Sequence, residues 1–289
     1  MNKLKMALMA ALALPSFSVL ADEKLKLHEE FKKLDEEAKS EHSVSYNVGL
    51  FSQYIFRGYN QTDGRPALQG GIDYEHSSGF YLGAWGSNVS WTTDDFDSGS
   101  GTSPYKSGGT LEIDLYGGYA NEIGETGIGY DVGVLQFLYP GEVRSGYAKA
   151  NTTEVYGGLN YKWLSYKAYV VTSEDAWTWG KSNNDGDDSA RGSLYQDLTA
   201  EIPLGDLVDH KLFNGVTATL HYGYQEFAGR NNRKSSYGDW KLGLDKEFAD
   251  GINVGWYYTG TDYNKRGWSK QGGEYLPEDT NTFYVTKSF

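Results

Sequence analysis

Cysteine, proline and basic residues are scarce in this chain, and each shortage excludes a class of structure or function. The 289 residues include no cysteine and 6 prolines. Without cysteine there can be no disulfide framework and no thiolate chemistry. The 26 lysines and arginines are outnumbered by 39 aspartates and glutamates, for a formal net charge of −13. Because proteins bind nucleic acids largely through lysine and arginine, which neutralise the phosphates, we expect no nucleic-acid partner.

Long hydrophobic runs are also missing, and the mean hydropathy is −0.58. The single short apolar run, residues 6–14, follows Lys3 and Lys5 and precedes the compact triplet 19–21. This pattern predicts an export signal peptide at residues 1–21. Loss of Lys3 and Lys5 would leave 24 basic against 39 acidic residues, a net charge of −15. An exported chain without disulfides needs another source of stability, such as a large sheet.

Aromatic residues and glycine are abundant instead. The chain contains 24 tyrosines, 12 phenylalanines, 8 tryptophans and 37 glycines. Disordered chains are depleted in aromatic residues, so the low hydropathy does not predict disorder. A polar average with many aromatic residues is typical of a transmembrane β-barrel, in which only alternate strand residues contact lipid.

Residues 22–42 differ from the rest of the chain, since they are rich in lysine and glutamate and have no glycine or proline. Leu27, Phe31, Leu34 and Ala38 recur at helical spacing and predict a charged amphipathic helix on the periplasmic side. Two roles remain open. The helix is either a frayed soluble tail or a short coiled coil that joins protomers into a homo-oligomer.

From residue 43 onward the hydrophobic period changes to two. In the first segment Val44, Tyr46, Val48, Leu50, Tyr54 and Phe56 form one face, which we expect to contact lipid. Such patterns predict about twelve strands. Their expected ranges are 44–58, 67–76, 80–91, 110–120, 128–139, 152–162, 164–173, 194–202, 216–227, 237–248, 252–261 and 280–289. The third predicted strand does not alternate consistently, because Phe80 and Leu82 lie on one parity and Trp85 lies on the other.

The connections between these strands alternate in length. Long polar segments follow the odd strands and short links follow the even ones, with 203–215 as the exception. This asymmetry predicts an all-β, antiparallel up-and-down barrel at residues 43–289, with short turns and both termini in the periplasm. The expected location is therefore the outer membrane of a Gram-negative cell, in contact with its lipid. Phe289 ends the last strand as in substrates of the barrel-assembly machinery, which we expect to be a partner.

Residues 46–90 carry a family resemblance. The segments are 54–58 (YIFRG), Gln61 with Thr62, 66–74 (PALQGGIDY), 78–85 (SGFYLGAW) and 87–89 (SNV). Together they resemble the TorF-type porin family of proteobacteria. The resemblance implies an outer-membrane location and a porin role, without an established substrate. The segment 22–42 departs from that pattern.

The polar parity of each strand would line the pore, and it is rich in carboxylates. Its acidic members are Asp73, Glu75, Glu112, Asp114, Asp131, Glu154, Asp197, Glu201, Asp239 and Asp245. Its basic members are Arg57, Lys167 and Lys241, with Lys162 at the periplasmic rim. Acidic rings favour cations, so the sequence predicts weak cation selectivity if the lumen is open. The alternative is an interior ion-pair network that fills a closed barrel.

The alternating pattern places Arg57 at the outer end of the first strand. There it would either pair with an interior acid such as Asp73 or Asp114, or select anionic solutes at the mouth. The loop 92–109 would either fold inward to narrow the pore or stand outward to contact partners.

The function that this sequence predicts is passive diffusion of small hydrophilic solutes through an outer-membrane channel. The alternative is a closed structural or adhesive barrel that acts through its extracellular loops. We expect no enzyme activity, catalytic residue, cofactor or metal, because no histidine lies in a nucleophile motif. The histidines are His28 and His42 in the predicted helix, His76 beside a periplasmic turn, His210 in a link and His221 on the polar parity. The acidic clusters at 94–97 and 183–188 lack the spacing of a calcium-binding EF-hand loop.

Overall fold

The computed structural model of this chain describes residues 41–94, 103–182, 188–230, 232–262 and 279–289. The predicted signal peptide and residues 22–40 of the predicted helix lie outside the described residues. The helix prediction is wrong at its carboxyl end, because His42 is the first residue of a strand and pairs with His76. Within the described ranges, no helix is both long and apolar enough to cross a bilayer.

Twelve antiparallel strands form one closed barrel, as the sequence predicts. The strands are β1 (His42–Phe51), β2 (Ala67–His76), β3 (Phe80–Asn88), β4 (Leu111–Glu122), β5 (Ile128–Leu138), β6 (Thr152–Tyr161), β7 (Leu164–Val171), β8 (Leu194–Pro203), β9 (Val216–Glu226), β10 (Tyr237–Glu247), β11 (Ile252–Asp262) and β12 (Thr280–Ser288). Each strand pairs with its neighbour in sequence, and β12 closes the barrel on β1, with Leu50 opposite Val285. Closure removes the exposed strand edges that an open sheet would have.

The outer surface of the barrel is apolar. Leu68, Leu82 and Phe283 each expose at least 60 % of their surface, whereas the adjacent Gln69 and Tyr81 are buried. This alternation follows from the period of two along a strand. It also resolves the phase of β3, because Trp85 is buried inside the barrel while Phe80 and Leu82 face outward. A continuous apolar exterior of this kind is suited to lipid.

Glycine and tyrosine pair across neighbouring strands inside the barrel. Gly83 lies opposite Tyr116, and a Cβ atom at residue 83 would lie 2.2 Å from the tyrosine ring. Gly133 lies opposite Tyr156, whose ring would come within 2.5 Å of such an atom. The tyrosine ring therefore covers the glycine of the next strand, which is one reason why both residue types are abundant.

The connections alternate as predicted. The long connections follow odd strands and are 52–66, 89–110, 139–151, 172–193, 227–236 and 263–279. The short ones are 77–79, 123–127, 162–163, 204–215 and 248–251. The exception, 204–215, contains the short helix α1 (Leu204–Leu207) and a 3₁₀ turn at Lys211–Phe213. Further 3₁₀ turns lie at Arg233–Ser235 and Ala249–Gly251.

Short hairpins occur within the long connections. They pair Ile55–Phe56 with Tyr59–Asn60 and Asp175–Ala176 with Trp179–Gly180. A further two-stranded sheet joins two connections, since Tyr105–Gly108 pairs with Gly141–Val143 of the next long connection. The predicted first strand, 44–58, is therefore too long, since β1 ends at Phe51. Beyond that residue the Gln53 amide donates hydrogen bonds to Thr280 and to the backbone oxygen of Asn281 at the start of β12.

Candidate functional site

The connection 52–66, which we call the inward hairpin, enters the barrel instead of extending β1. Tyr54 and Ile55 are buried, and the Tyr54 hydroxyl donates a hydrogen bond of 2.9 Å to Glu112 Oε1 on β4. The tip turns at Arg57 and Gly58, which have φ angles of 47° and 76°. Glycine suits the second of these because left-handed backbone is costly for side chains with a Cβ atom. The expectation that Tyr54 and Phe56 face lipid is therefore wrong.

Arg57 at the tip of the inward hairpin forms a bidentate ion pair with Glu154 on β6. The two nitrogen–oxygen distances are 2.9 Å and 2.7 Å, and both side chains are almost fully buried. The guanidinium also donates to Gln225 Oε1 at 3.2 Å and lies 4.2 Å from the centre of the Tyr195 ring. Paired nitrogens and paired oxygens match in geometry, so this contact fixes both position and orientation.

The sequence-based interpretation of Arg57 is thus corrected in two respects. Its side chain lies inside the barrel, not at the end of a strand at the mouth. It does pair with an interior acid, but that acid is Glu154 and not Asp73 or Asp114. The reason is that the chain turns inward after Phe51, and this turn carries Arg57 to β6.

Two carboxylates on β4 lie beside the inward hairpin. Glu112 accepts hydrogen bonds from the hydroxyls of Tyr54 and Tyr139, at 2.9 Å and 2.7 Å. Asp114 is equally buried, yet among the described residues its Oδ1 atom has no hydrogen-bond partner. It lies within the electrostatic influence of Glu112, Glu154 and Arg57. A buried carboxylate oxygen without a partner is costly unless a proton or a cation reaches it.

A second buried ion pair joins β5 to β7. Lys167 Nζ lies 2.5 Å from Asp131 Oδ2, and the Tyr81 hydroxyl donates to Asp131 Oδ1 at 2.6 Å. The Tyr81 and Tyr156 hydroxyls are hydrogen-bonded to each other. On the neighbouring strands Tyr116 donates to Asp73. Tyrosine hydroxyls therefore satisfy carboxylates on this wall of the barrel, where few cations are present.

His221 on β9 lies between two carboxylates. Its Nδ1 atom is 3.2 Å from Asp197 Oδ1, and its Nε2 atom is 3.0 Å from Asp239 Oδ1. Thr199 contacts the same Nδ1 atom at 2.9 Å, and Tyr195 contacts Nε2 at 3.2 Å. The imidazole is held on both sides, which ties β8, β9 and β10 together.

A cavity of about 110 Å³ lies between the inward hairpin and the wall formed by β7 to β11. Charged side chains of both signs line it: Arg57, Lys167, Lys241, Asp197, Glu201 and Asp239. Tyr169, Tyr195 and Tyr257 contribute aromatic surface. The interior is therefore filled near the inward hairpin but keeps a small polar space on one side.

The thirteen candidate residues from the sequence fall into two groups. Arg57 reaches the interior from a connection, and the other twelve occupy inward strand positions. Nine of these twelve have polar contacts described above or line the cavity. The remaining three are Glu75, Asp114 and Asp245, of which Asp245 accepts a hydrogen bond from Asn253 at 3.1 Å.

Sequence reasoning missed the aromatic part of this interior. Tyr54, Tyr81, Tyr156, Tyr169 and Tyr195 all lie inside. The polar parity of His221 predicts its inward position but not its contacts with Asp197 and Asp239. A signal was present for three of the strand tyrosines, because Tyr156 and Tyr195 share the parity of Glu154 and Asp197, and Tyr169 shares that of Lys167. Tyr54 had no such signal, since its parity within the supposed strand pointed outward.

The outer connections are described only in part. Within loop 92–109, Tyr105–Gly108 pairs with Gly141–Val143 of connection 139–151. Residues 95–102 of that loop and residues 183–187 of the second acidic cluster lie outside the described ranges. In connection 172–193, a hydrogen bond from Ser189 and the charges of Arg191 and Lys181 lower the pKa of Glu174. Other long connections also contribute buried residues to the interior: Trp91 and Tyr105 lie in connection 89–110, and Tyr139, which donates to Glu112, begins connection 139–151.

These features define a β-barrel with an apolar exterior and a polar, charged interior that an inward hairpin partly fills. The chain belongs to the family described as "Bacterial protein of unknown function (Gcw_chp)", whose model matches residues 35–289. That description does not extend to the TorF-type resemblance, which stays an interpretation. No curated protein matches the chain.

Solved structures of outer-membrane proteins resemble the barrel. The KdgM porin has 9 % sequence identity and a TM-score of 0.44, over 85 % of this chain and 98 % of that one. The outer-membrane protein OpdK from Pseudomonas aeruginosa has 12 % identity and a TM-score of 0.40, over 78 % of this chain and 57 % of that one. OccAB2 from Acinetobacter baumannii has 8 % identity and a TM-score of 0.42, over 88 % and 65 %. With TM-scores below 0.5, none of these likenesses bears on function.

Proposed function

We propose that this protein is an outer-membrane channel for small hydrophilic solutes, with a lumen that the inward hairpin closes at rest. The observation that carries the proposal is the charged cavity beneath the hairpin. It continues the polar interior of a barrel whose exterior is apolar. The hairpin belongs to a connection, so it can move without breaking the ladder of strand hydrogen bonds that holds the barrel together.

The proposed channel is weakly cation-selective. Ten inward carboxylates face the three bases Arg57, Lys167 and Lys241. Two of the ten, Glu154 and Asp131, are neutralised by Arg57 and Lys167, which leaves eight carboxylates against Lys241 and the imidazole of His221. Asp114, whose Oδ1 atom has no hydrogen-bond partner within the described part of the chain, is among those eight. An excess of acidic side chains in a narrow passage attracts cations and repels anions.

A second candidate is a permanently closed barrel that acts through its outer connections. The observation in its favour is the burial of Glu112, Glu154 and Asp131, which are at most 1 % exposed. If the inward hairpin never leaves the interior, solutes cannot pass. The two candidates differ in whether the wild-type barrel opens with its hairpin present.

Planar-bilayer recording of the purified protein distinguishes them. We expect rare openings from the wild type, and steady conductance when residues 54–61 are replaced by a four-residue Gly/Ser linker. The matched control replaces residues 181–188, which also number eight and lie in another long connection, with the same linker. This control should conduct like the wild type.

Two results would count against the proposal in different ways. Absence of openings from the wild type would favour the permanently closed barrel, even if the hairpin variant conducts. Under a salt gradient, a reversal potential of anion-selective sign would reject the selectivity while retaining the channel.

A further inference from the structure

The structure assigns a Zn²⁺ site to the short-connection rim of the barrel, formed by Glu41, His42 and His76, which we call the rim cluster. Among the described residues, this is the group of three or more histidines and carboxylates whose ligand atoms converge, all within 4.8 Å of one another. It lies at the outer face where β1 begins and β2 ends. It is separate from the interior and from any channel function.

Backbone geometry brings the two histidines together. His42 lies directly opposite His76 in the β1–β2 register. The next pair along, Glu41 with Ser77, is hydrogen-bonded from Ser77 N to Glu41 O at 2.8 Å. Since hydrogen-bonded and non-hydrogen-bonded pairs alternate along an antiparallel ladder, His42 and His76 form a non-hydrogen-bonded pair, the kind with the closer side chains. Their ring centres are 5.1 Å apart.

Hydrogen bonds orient both imidazole rings. His42 Nδ1 lies 2.7 Å from the Tyr74 hydroxyl, and His76 Nδ1 lies 2.6 Å from Ser78 Oγ. Ser78 N also donates to His76 Nδ1 at 3.2 Å. A histidine that binds a metal through one nitrogen is usually oriented by a hydrogen bond at the other. In the rim cluster Nε2 is therefore the coordinating nitrogen of each ring. In His76 this requires the tautomer with the proton on Nδ1, which would donate to Ser78 Oγ in place of the contact from Ser78 N.

The types of ligand atom in the rim cluster favour Zn²⁺. Two imidazole nitrogens and one carboxylate oxygen are common ligands of Zn²⁺, with a fourth position for water. At bond lengths of roughly 2.0–2.1 Å, tetrahedral ligands lie about 3.3 Å apart. The three ligand atoms lie within 4.8 Å of one another, so coordination requires side-chain rotations that bring them closer by at most about 1.5 Å. Bound Zn²⁺ would fasten the amino-terminal end of β1 to β2.

Equilibrium dialysis of untagged, folded protein against Zn²⁺ tests the site. We expect one Zn²⁺ per chain, and a loss of affinity of more than about tenfold in His42→Ala and in His76→Ala. Tyr74→Phe keeps all three ligands but removes the hydroxyl that orients His42, so a weakening of about tenfold is expected. His210→Ala is the matched control, because His210 is exposed in connection 204–215 at the same end of the barrel and lies outside the cluster.

Absence of saturable Zn²⁺ binding would overturn the assignment, as would equal binding by the wild type and both alanine variants. Folding of each variant is verified by the heat-dependent shift in its gel mobility. If an alanine variant does not fold, His76→Gln and Tyr74→Phe provide the comparison. The readout is metal binding alone, so it is independent of whether the barrel conducts.

Discussion

The interior side chains include charges that are removed from water and therefore need partners. Burial of an isolated charge costs several kcal/mol even after the protein relaxes. Arg57 and Lys167 offset this cost by pairing with Glu154 and Asp131. Tyrosine hydroxyls satisfy Glu112 and Asp73 without adding charge. Asp114 departs from this pattern, since its Oδ1 atom has no such partner among the described residues.

Removal of one buried partner should therefore be costly. Glu154→Gln keeps the shape of the side chain but leaves Arg57 charged inside the barrel. We expect it to lower the free energy of unfolding by about 3 kcal/mol, as measured by denaturant titration in detergent or lipid. The matched control is Glu142→Gln, which removes an ion pair with Lys106 of similar length, 3.0 Å, between side chains that are about 60 % exposed.

The control should change the free energy of unfolding by less than about 1 kcal/mol, because water screens an exposed pair. Equal effects of the two substitutions would show that the Arg57–Glu154 contact contributes no more than a surface ion pair.

The inward hairpin is the element on which the proposed gating depends. It contacts the walls of the barrel at several points: Tyr54 at β4, Arg57 at β6, and the Arg57 carbonyl, which accepts a hydrogen bond of 2.8 Å from Tyr237 on β10. These are contacts of individual groups. The twelve strands, in contrast, share continuous ladders of backbone hydrogen bonds. The hairpin can therefore separate from the wall at a lower cost than any strand.

Gly58→Ala should displace the hairpin tip and increase the open fraction of the channel. A Cβ atom at residue 58 would lie 2.4 Å from Thr261 Cγ2 and 2.7 Å from Asp239 Cβ. Overpacking of this kind costs about 1–3 kcal/mol. Since about 1.4 kcal/mol corresponds to a factor of ten in an equilibrium, single-channel recording should show an open fraction that rises by about tenfold or more.

Gly64→Ala is the control for backbone strain. Gly64 lies in the same connection with φ 70°, close to the 76° of Gly58, but a Cβ atom there would contact nothing within 4 Å. Both variants carry similar backbone strain, and only Gly58→Ala adds a steric clash. An open fraction that rises equally in both would exclude displacement of the tip as the cause.

The two ends of the barrel differ, because all the long connections lie at one end and the short ones at the other. In outer-membrane barrels the long connections are extracellular and the short turns periplasmic. The rim cluster and connection 204–215 would then face the periplasm, and connection 172–193 would face the medium.

Cysteine labelling of intact cells tests this orientation, and the absence of native cysteine makes the signal unambiguous. Lys181→Cys lies in connection 172–193 at a side chain that is 72 % exposed, and Asp209→Cys lies in connection 204–215 at an exposed residue. A membrane-impermeant maleimide should label the first in intact cells, and both after lysis. Labelling of Asp209→Cys alone in intact cells would reverse the assignment.

The barrel itself could be predicted from the order of the residues. The period of two, the alternating connection lengths and the inward carboxylates are local properties, because each strand must present an apolar face to one side and a polar face to the other. Twelve strands follow from these patterns with boundaries that differ by a few residues, except at the end of the first strand.

The arrangement inside the barrel and at its rim depends on tertiary structure. Residues 54–56 continue the alternation of β1, so no local signal shows that the chain turns inward after Phe51. The partner of Arg57 lies 97 residues away, and His42 meets His76 across a register that spans 34 residues. Pairings of this kind depend on how the sheet closes, and closure is a property of all twelve strands together.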